Sequence, residues 1–145
     1  MATRSRIGIQ LSDDSILSVY HHWDGYPEWL GRILKTHYNS REKATELIDG
    51  GDMSCAWTKD RWTGVEIDKY VIENVEVDEY GPQYYAQRGE DCPPCLDDNI
   101  YDYLAEGEEY AYIFTRNDEW ICYDRHQWGD AYPTVVEIPS GALAA

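Results

Sequence analysis

Residues 7–23 read IGIQLSDDSILSVYHHW, and the fold class turns on them. Ile7, Ile9 and Leu11 alternate with Gly8 and Gln10, the period of a half-buried strand. Ser12-Asp13-Asp14-Ser15 is a turn cluster, and Ile16 to Trp23 returns as a second strand. This predicts an N-terminal β-hairpin. Side chains of a strand alternate faces, so Leu17, Val19, His21 and Trp23 share an apolar face. Ile16, Ser18, Tyr20 and His22 share a mixed one. The two histidines therefore point opposite ways and do not ligate one metal together. His21 is expected in the core with its polar atoms satisfied, His22 at a more exposed position, and Trp23 buried.

Outward from the hairpin, Asp24-Gly25 ends the strand, with the glycine expected to supply a positive φ. Pro27 fits the first turn of a helix, and Leu30, Ile33, Leu34 and His37 recur at the spacing of one helical face. Asn39, with Glu42 three residues on, reads as the cap of a second helix. Ala44, Leu47 and Ile48 form its apolar stripe, and Gly50-Gly51 closes it. Residues 52–64 read as loop. Val65/Ile67 and Val75/Val77 alternate as strands with acidic outer faces, Glu66, Asp68, Glu76 and Asp78. Residues 89–99 are a polar loop in which Asp97 would cap a short helix carrying Ile100, Tyr103 and Leu104. Tyr110–Phe114 and Trp120–Tyr123 flank Asn117-Asp118 as a second hairpin, and Thr134–Ile138 is the last strand. Without regular βα alternation the fold class is α+β. The expected architecture is a mainly antiparallel sheet built from hairpins, with two or three helices packed on one side. The 145 residues are read as one domain. It comprises the hairpin and two helices over 5–51, an acidic strand-rich part over 61–138 and a frayed tail over 139–145.

The charge is −16 and unevenly spread. Residues 1–60 carry 7 Lys/Arg against 9 Asp/Glu, whereas residues 61–145 carry 5 against 19. Such a field repels nucleic acid and anionic membrane and attracts basic surfaces. No apolar run approaches the roughly 20 residues that span a bilayer, and a cytoplasmic location is expected. The four cysteines are Cys55, Cys92, Cys95 and Cys122. Structural zinc usually shows two close pairs or a pair with two histidines, so Cys92-Pro93-Pro94-Cys95 reads as a rigid turn. No cofactor or metal is expected; if a metal binds, Cys92 and Cys95 are its ligands.

Residues 20–29, YHHWDGYPEW, concentrate aromatic, imidazole and carboxylate groups. One reading is architectural: the rings cover the junction of hairpin and helix. The other is a ligand corner made by Tyr20, His22, Trp23, Asp24 and Tyr26 with Arg6, where a ring stacks on a base and cationic groups meet an anion. A third use, His22 oriented by Asp24 for acid–base hydrolysis, has no accompanying nucleophile motif.

The segments TRSRIG (3–8), YHHWDGYPEWLG (20–31) and HYNSREKATELIDGGDMS (37–54), followed less closely by GEEYAYIFTRNDEW (107–120), resemble a family of small proteins encoded by tailed bacteriophages, cyanophages among them. The family is largely uncharacterised, so the resemblance implies an origin and an infected bacterial host, and assigns no catalytic residue. It directs the functional expectation toward a non-catalytic accessory protein. Such a protein would bind and inhibit a basic host protein through an acidic, Tyr/Trp-rich surface including Glu66, Asp68, Glu76, Asp78, Glu108 and Glu109. The alternative is a binder of a nucleotide signal at residues 20–29.

Overall fold

The computed structural model describes residues 3–58, 81–106, 108–125 and 133–139. The predicted hairpin forms: β1 (Ser5–Gln10) pairs antiparallel with β2 (Ile16–His21), with Ile7 opposite Val19 and Arg6 opposite Tyr20. Asp14 closes the turn at φ 69°, a left-handed conformation that Asp tolerates better than most residues. A single wide π-helical turn, Pro27–Gly31, runs directly into α1 (Arg32–His37). The second helix, α2, covers Arg41–Asp49. Its N-cap is Ser40, whose side chain accepts from the Lys43 N–H, and not the expected Asn39. The shorter hydroxyl one residue later sits in the extended geometry that the capping bond needs.

Residues 52–64, expected as loop, contain strand β3 (Met53–Thr58). MSCAWT lacks a clear alternation, yet β3 continues the sheet beside β2, where His21 pairs with Met53 in parallel. The antiparallel β4 (Gly81–Tyr84) follows on its other side. The polar loop carries a three-residue strand, β5 (Cys95–Asp97), antiparallel to β2. Helix α3 (Ile100–Leu104) is capped by Asn99, which accepts from the Asp102 N–H, and not by Asp97. Asp97 is instead a residue of β5. The second hairpin, β6 (Tyr110–Phe114) and β7 (Trp120–Asp124), forms as expected, and β8 (Thr134–Val136) pairs with β7. The expected strands around Val65 and Val75 lie outside the described residues.

These strands make one sheet in the order β4-β3-β2-β1-β6-β7-β8, with β5 also on β2. Its pairs are antiparallel except β1–β6 and β2–β3, so the fold is α+β with a mainly antiparallel sheet. Central β1 is buried on both faces. Ile7, Ile9, Val19, Tyr112 and Phe114 form one core with Leu30, Ile33, Leu34, Leu47 and Ile48 of the first helices. Ile16, Ala111 and Ile113 form a smaller core on the opposite face with Tyr103 of α3. Among the described residues α1 and α2 thus share a face, while α3 covers the other, anchored by the Tyr103 hydroxyl, which donates to the Tyr112 carbonyl at 2.7 Å. Leu17, on the apolar face of β2 with Val19 and His21, is half-buried.

Candidate functional site

The chain leaves β2 at His21, and the two histidines separate as the alternation requires. His21 is fully buried. Its Nε2 accepts from the Ala56 N–H at 3.1 Å, so the ring proton of the neutral form lies on Nδ1, 3.4 Å from Ser5 Oγ. Burial, followed by the neighbouring His22, lowers its pKa to about 3. His21 is therefore a neutral structural pin between β1 and β3.

His22 is half-buried on the other side. Its Nδ1 lies 2.6 Å from the Tyr20 hydroxyl, which donates when the ring is neutral at that nitrogen. Asp24 plays no part in this pair. It is exposed and adopts φ 54°, making the turn itself. The positive φ expected of Gly25 falls on Asp24; Gly25 is required because a Cβ there would collide with the Ser5 side chain and with the Thr3 carbonyl at 2.8 Å. The Gly25 carbonyl also accepts from the Tyr112 hydroxyl at 2.7 Å. Tyr26 is half-buried, and its carbonyl accepts the first N–H groups of the π-helical turn, from Trp29 and Leu30. Asp24 and Tyr26 thus direct the chain, as the architectural reading holds.

Trp23 departs from the burial that strand alternation predicts. It is 49% exposed, not a core residue. The strand alternation stops at His21, and the Trp23 N–H continues the backbone pairing with the Ser54 carbonyl at 2.9 Å. The indole turns outward and meets the His22 ring edge-on, centroids 4.5 Å apart and 83° between planes. Tyr20, His22 and Trp23 consequently form a contiguous aromatic corner.

Arg6 joins this corner from β1. It is only 9% exposed, stands opposite Tyr20 in the register and donates Nε and Nη2 to Ser18 Oγ at 3.1 and 3.0 Å. Ser18 was legible as a neighbour, because it shares the mixed face with Tyr20. Asp52 was not: its Oδ1 accepts from the Tyr20 N–H at 2.8 Å after an intervening pair of helices. Burial raises the pKa of the Tyr20 phenol, with Glu108 adding to it. Glu108 is itself raised by burial, opposed by Arg6 and Arg4. Glu109 accepts from the Arg4 N–H at 2.8 Å. Both glutamates, expected as free acidic surface, are half-buried. Glu66, Asp68, Glu76 and Asp78 lie outside the described residues. Cys92 is half-buried in the connection leading to β5, where its carbonyl accepts from the Asp52 N–H at 2.9 Å, and Cys95 is exposed. No described helix is long and apolar enough to cross a membrane. No family model, curated protein or solved structure matches this chain.

Proposed function

We propose that the chain is a non-catalytic binding protein that engages a basic partner protein through an acidic surface with Trp23 as its aromatic anchor. As a bacteriophage-type accessory factor, it inhibits that partner in the host cytoplasm. The observation that carries this reading is the 49% exposure of Trp23 in a chain of net charge −16. Tryptophan is enriched among the few residues that dominate binding energy, and its face attracts Lys and Arg side chains. The surrounding field speeds and orients encounter with a basic surface and resembles the phosphate array of DNA, which favours a nucleic-acid-handling partner and disfavours nucleic acid itself. Capture from a bacterial lysate tests this. A partner should be retained at low salt and released at high salt. Trp23→Ala should remove capture while changing stability by less than about 1 kcal/mol, as for exposed positions. Capture that ignores both salt and the substitution would sink the reading.

The meeting of buried Arg6 with Tyr20 and Ser18 favours a second reading, a small nucleotide held by Arg6 and stacked on Trp23. Glu108 beside Arg6 opposes an anionic ligand. Calorimetry with a nucleotide panel separates the two readings: a bound nucleotide whose binding is lost in a folded His22→Ala variant supports the second, and no heat with any nucleotide removes it.

A further inference from the structure

On the face of the sheet that α3 covers, a thiol and two carboxylates converge. Cys95 Sγ, one Asp97 oxygen and one Glu106 oxygen all lie within 4.8 Å of one another. Cys95 and Asp97 are alternate residues of β5 and so project to the same side. Their positions are set by pairing opposite Ser18 and Ile16 of β2. Glu106 follows α3, whose place is fixed by the buried Tyr103 and whose end is closed by the Glu106 N–H donating to the Tyr103 carbonyl at 3.1 Å.

A second observation concerns the same group. Asp97 Oδ2 is fully buried and has no hydrogen-bond partner. A desolvated carboxylate oxygen without a donor is unfavourable, and a second carboxylate beside it adds repulsion. The buried guanidinium of Arg6 directs Nε and Nη2 to Ser18 Oγ and acts on Asp97 through its charge, which favours the ionised carboxylate. Either a proton shared between the two carboxyl groups or a cation between them removes the conflict.

We propose that Cys95, Asp97 and Glu106 form a site for a divalent transition-metal ion of the zinc class. A thiolate and two carboxylates carry three negative charges, and Arg6 offsets one; a divalent ion neutralises the remainder. The thiolate selects borderline-soft ions over magnesium or calcium, which prefer all-oxygen cages. Three protein ligands leave a fourth tetrahedral position for water or an incoming group. Cys92, the other thiol of the Cys-Pro-Pro-Cys stretch, is not a member of this group.

Titrating chelator-treated protein with cobalt(II), then displacing it with zinc(II), tests the site. The expected result is one ion per chain, a thiolate-to-cobalt charge-transfer band, and a melting temperature that rises with zinc concentration. Cys95→Ser should abolish the band, and Asp97→Asn should weaken zinc binding by more than about 100-fold, beyond the roughly 10–100-fold that loss of an outer-sphere contact usually costs. Cys95 is exposed, so its serine variant should fold. Cys92→Ser should leave band and affinity unchanged. No band and no thermal shift would mean that the carboxyl pair shares a proton, and the proposal would be wrong. A band that survives Cys95→Ser but disappears with Cys92→Ser would overturn it equally.

Discussion

Acidification from about pH 6.5 to about pH 3 should remove on the order of 4 kcal/mol of stability through His21 alone, since its pKa falls from 6.5 to about 3 on folding. The buried ring is neutral, accepts from the Ala56 N–H and faces Ser5. In the unfolded chain it takes up a proton near its ordinary pKa, so between those two values the unfolded state binds more protons than the folded one. Stability is therefore full above about pH 6.5 and lost progressively as the pH falls toward about 3. Urea unfolding measured across this interval should show a steep slope in the natural protein. His21→Gln, which cannot titrate, should show a flatter one, because the remaining slope belongs to other groups such as Asp13, whose carboxyl is held low by Ser15. Equal slopes in the two proteins would mean that His21 is not buried in its neutral form.

Truncating Leu34 to alanine should cost about 2–5 kcal/mol, the range for a fully buried leucine whose surroundings cannot collapse. Leu34 has no exposed surface and belongs to the larger core, which joins α1 and α2 to the sheet through Ile7, Ile9 and Phe114. The site offers little room to relax, because it is bounded by a strand buried on both faces and by a second helix. Chemical denaturation of Leu34→Ala against the natural chain provides the check. A loss below about 1 kcal/mol would show that the helix turns a different face to the sheet.

Residues that act through their immediate neighbours were readable in advance. The alternation of Ile7, Ile9 and Leu11, the helical spacing of Leu30, Ile33 and Leu34, and the Asn117-Asp118 turn each involve a few consecutive positions. Asp118 adopts φ 58° in that turn. The facing of His21 and His22 followed from the same period of two. Both helix caps were displaced, from Asn39 to Ser40 and from Asp97 to Asn99. Several Asn, Ser and Asp residues compete at each helix start, and only the path of the entering chain chooses among them. Trp23 escaped because an alternation argument holds only while the strand lasts.

The candidate site was half legible. Arg6, Tyr20, His22 and Trp23 were named from composition and spacing, but the reason they meet lies in pairing between strands. Of Cys95, Asp97 and Glu106, the sequence pointed only to Cys95, as half of the Cys92–Cys95 pair; Asp97 and Glu106 join it through the pairing of β5 with β2 and the position of α3.

The sequence by itself determined the elements with strong periodicity, the α+β class, the acid-rich charge distribution and the opposite facing of the two histidines. These depend on side-chain period, turn chemistry and formal charge, all of which operate within a turn or a strand. Only the tertiary structure decided that β1 lies parallel to β6 and that the outer edge of β2 is divided between β3 and β5. It likewise decided that Arg41 at the start of α2 ties two distant turns together, donating to the Gln10 and Thr115 carbonyls at 3.1 and 2.8 Å and pairing with Asp118. Such contacts join segments 31 to 77 positions apart, and the Arg4 N–H meets Glu109 across 105. Their selection rests on which arrangement buries both faces of β1 and satisfies its backbone at once, a condition on the whole sheet that no local stretch contains.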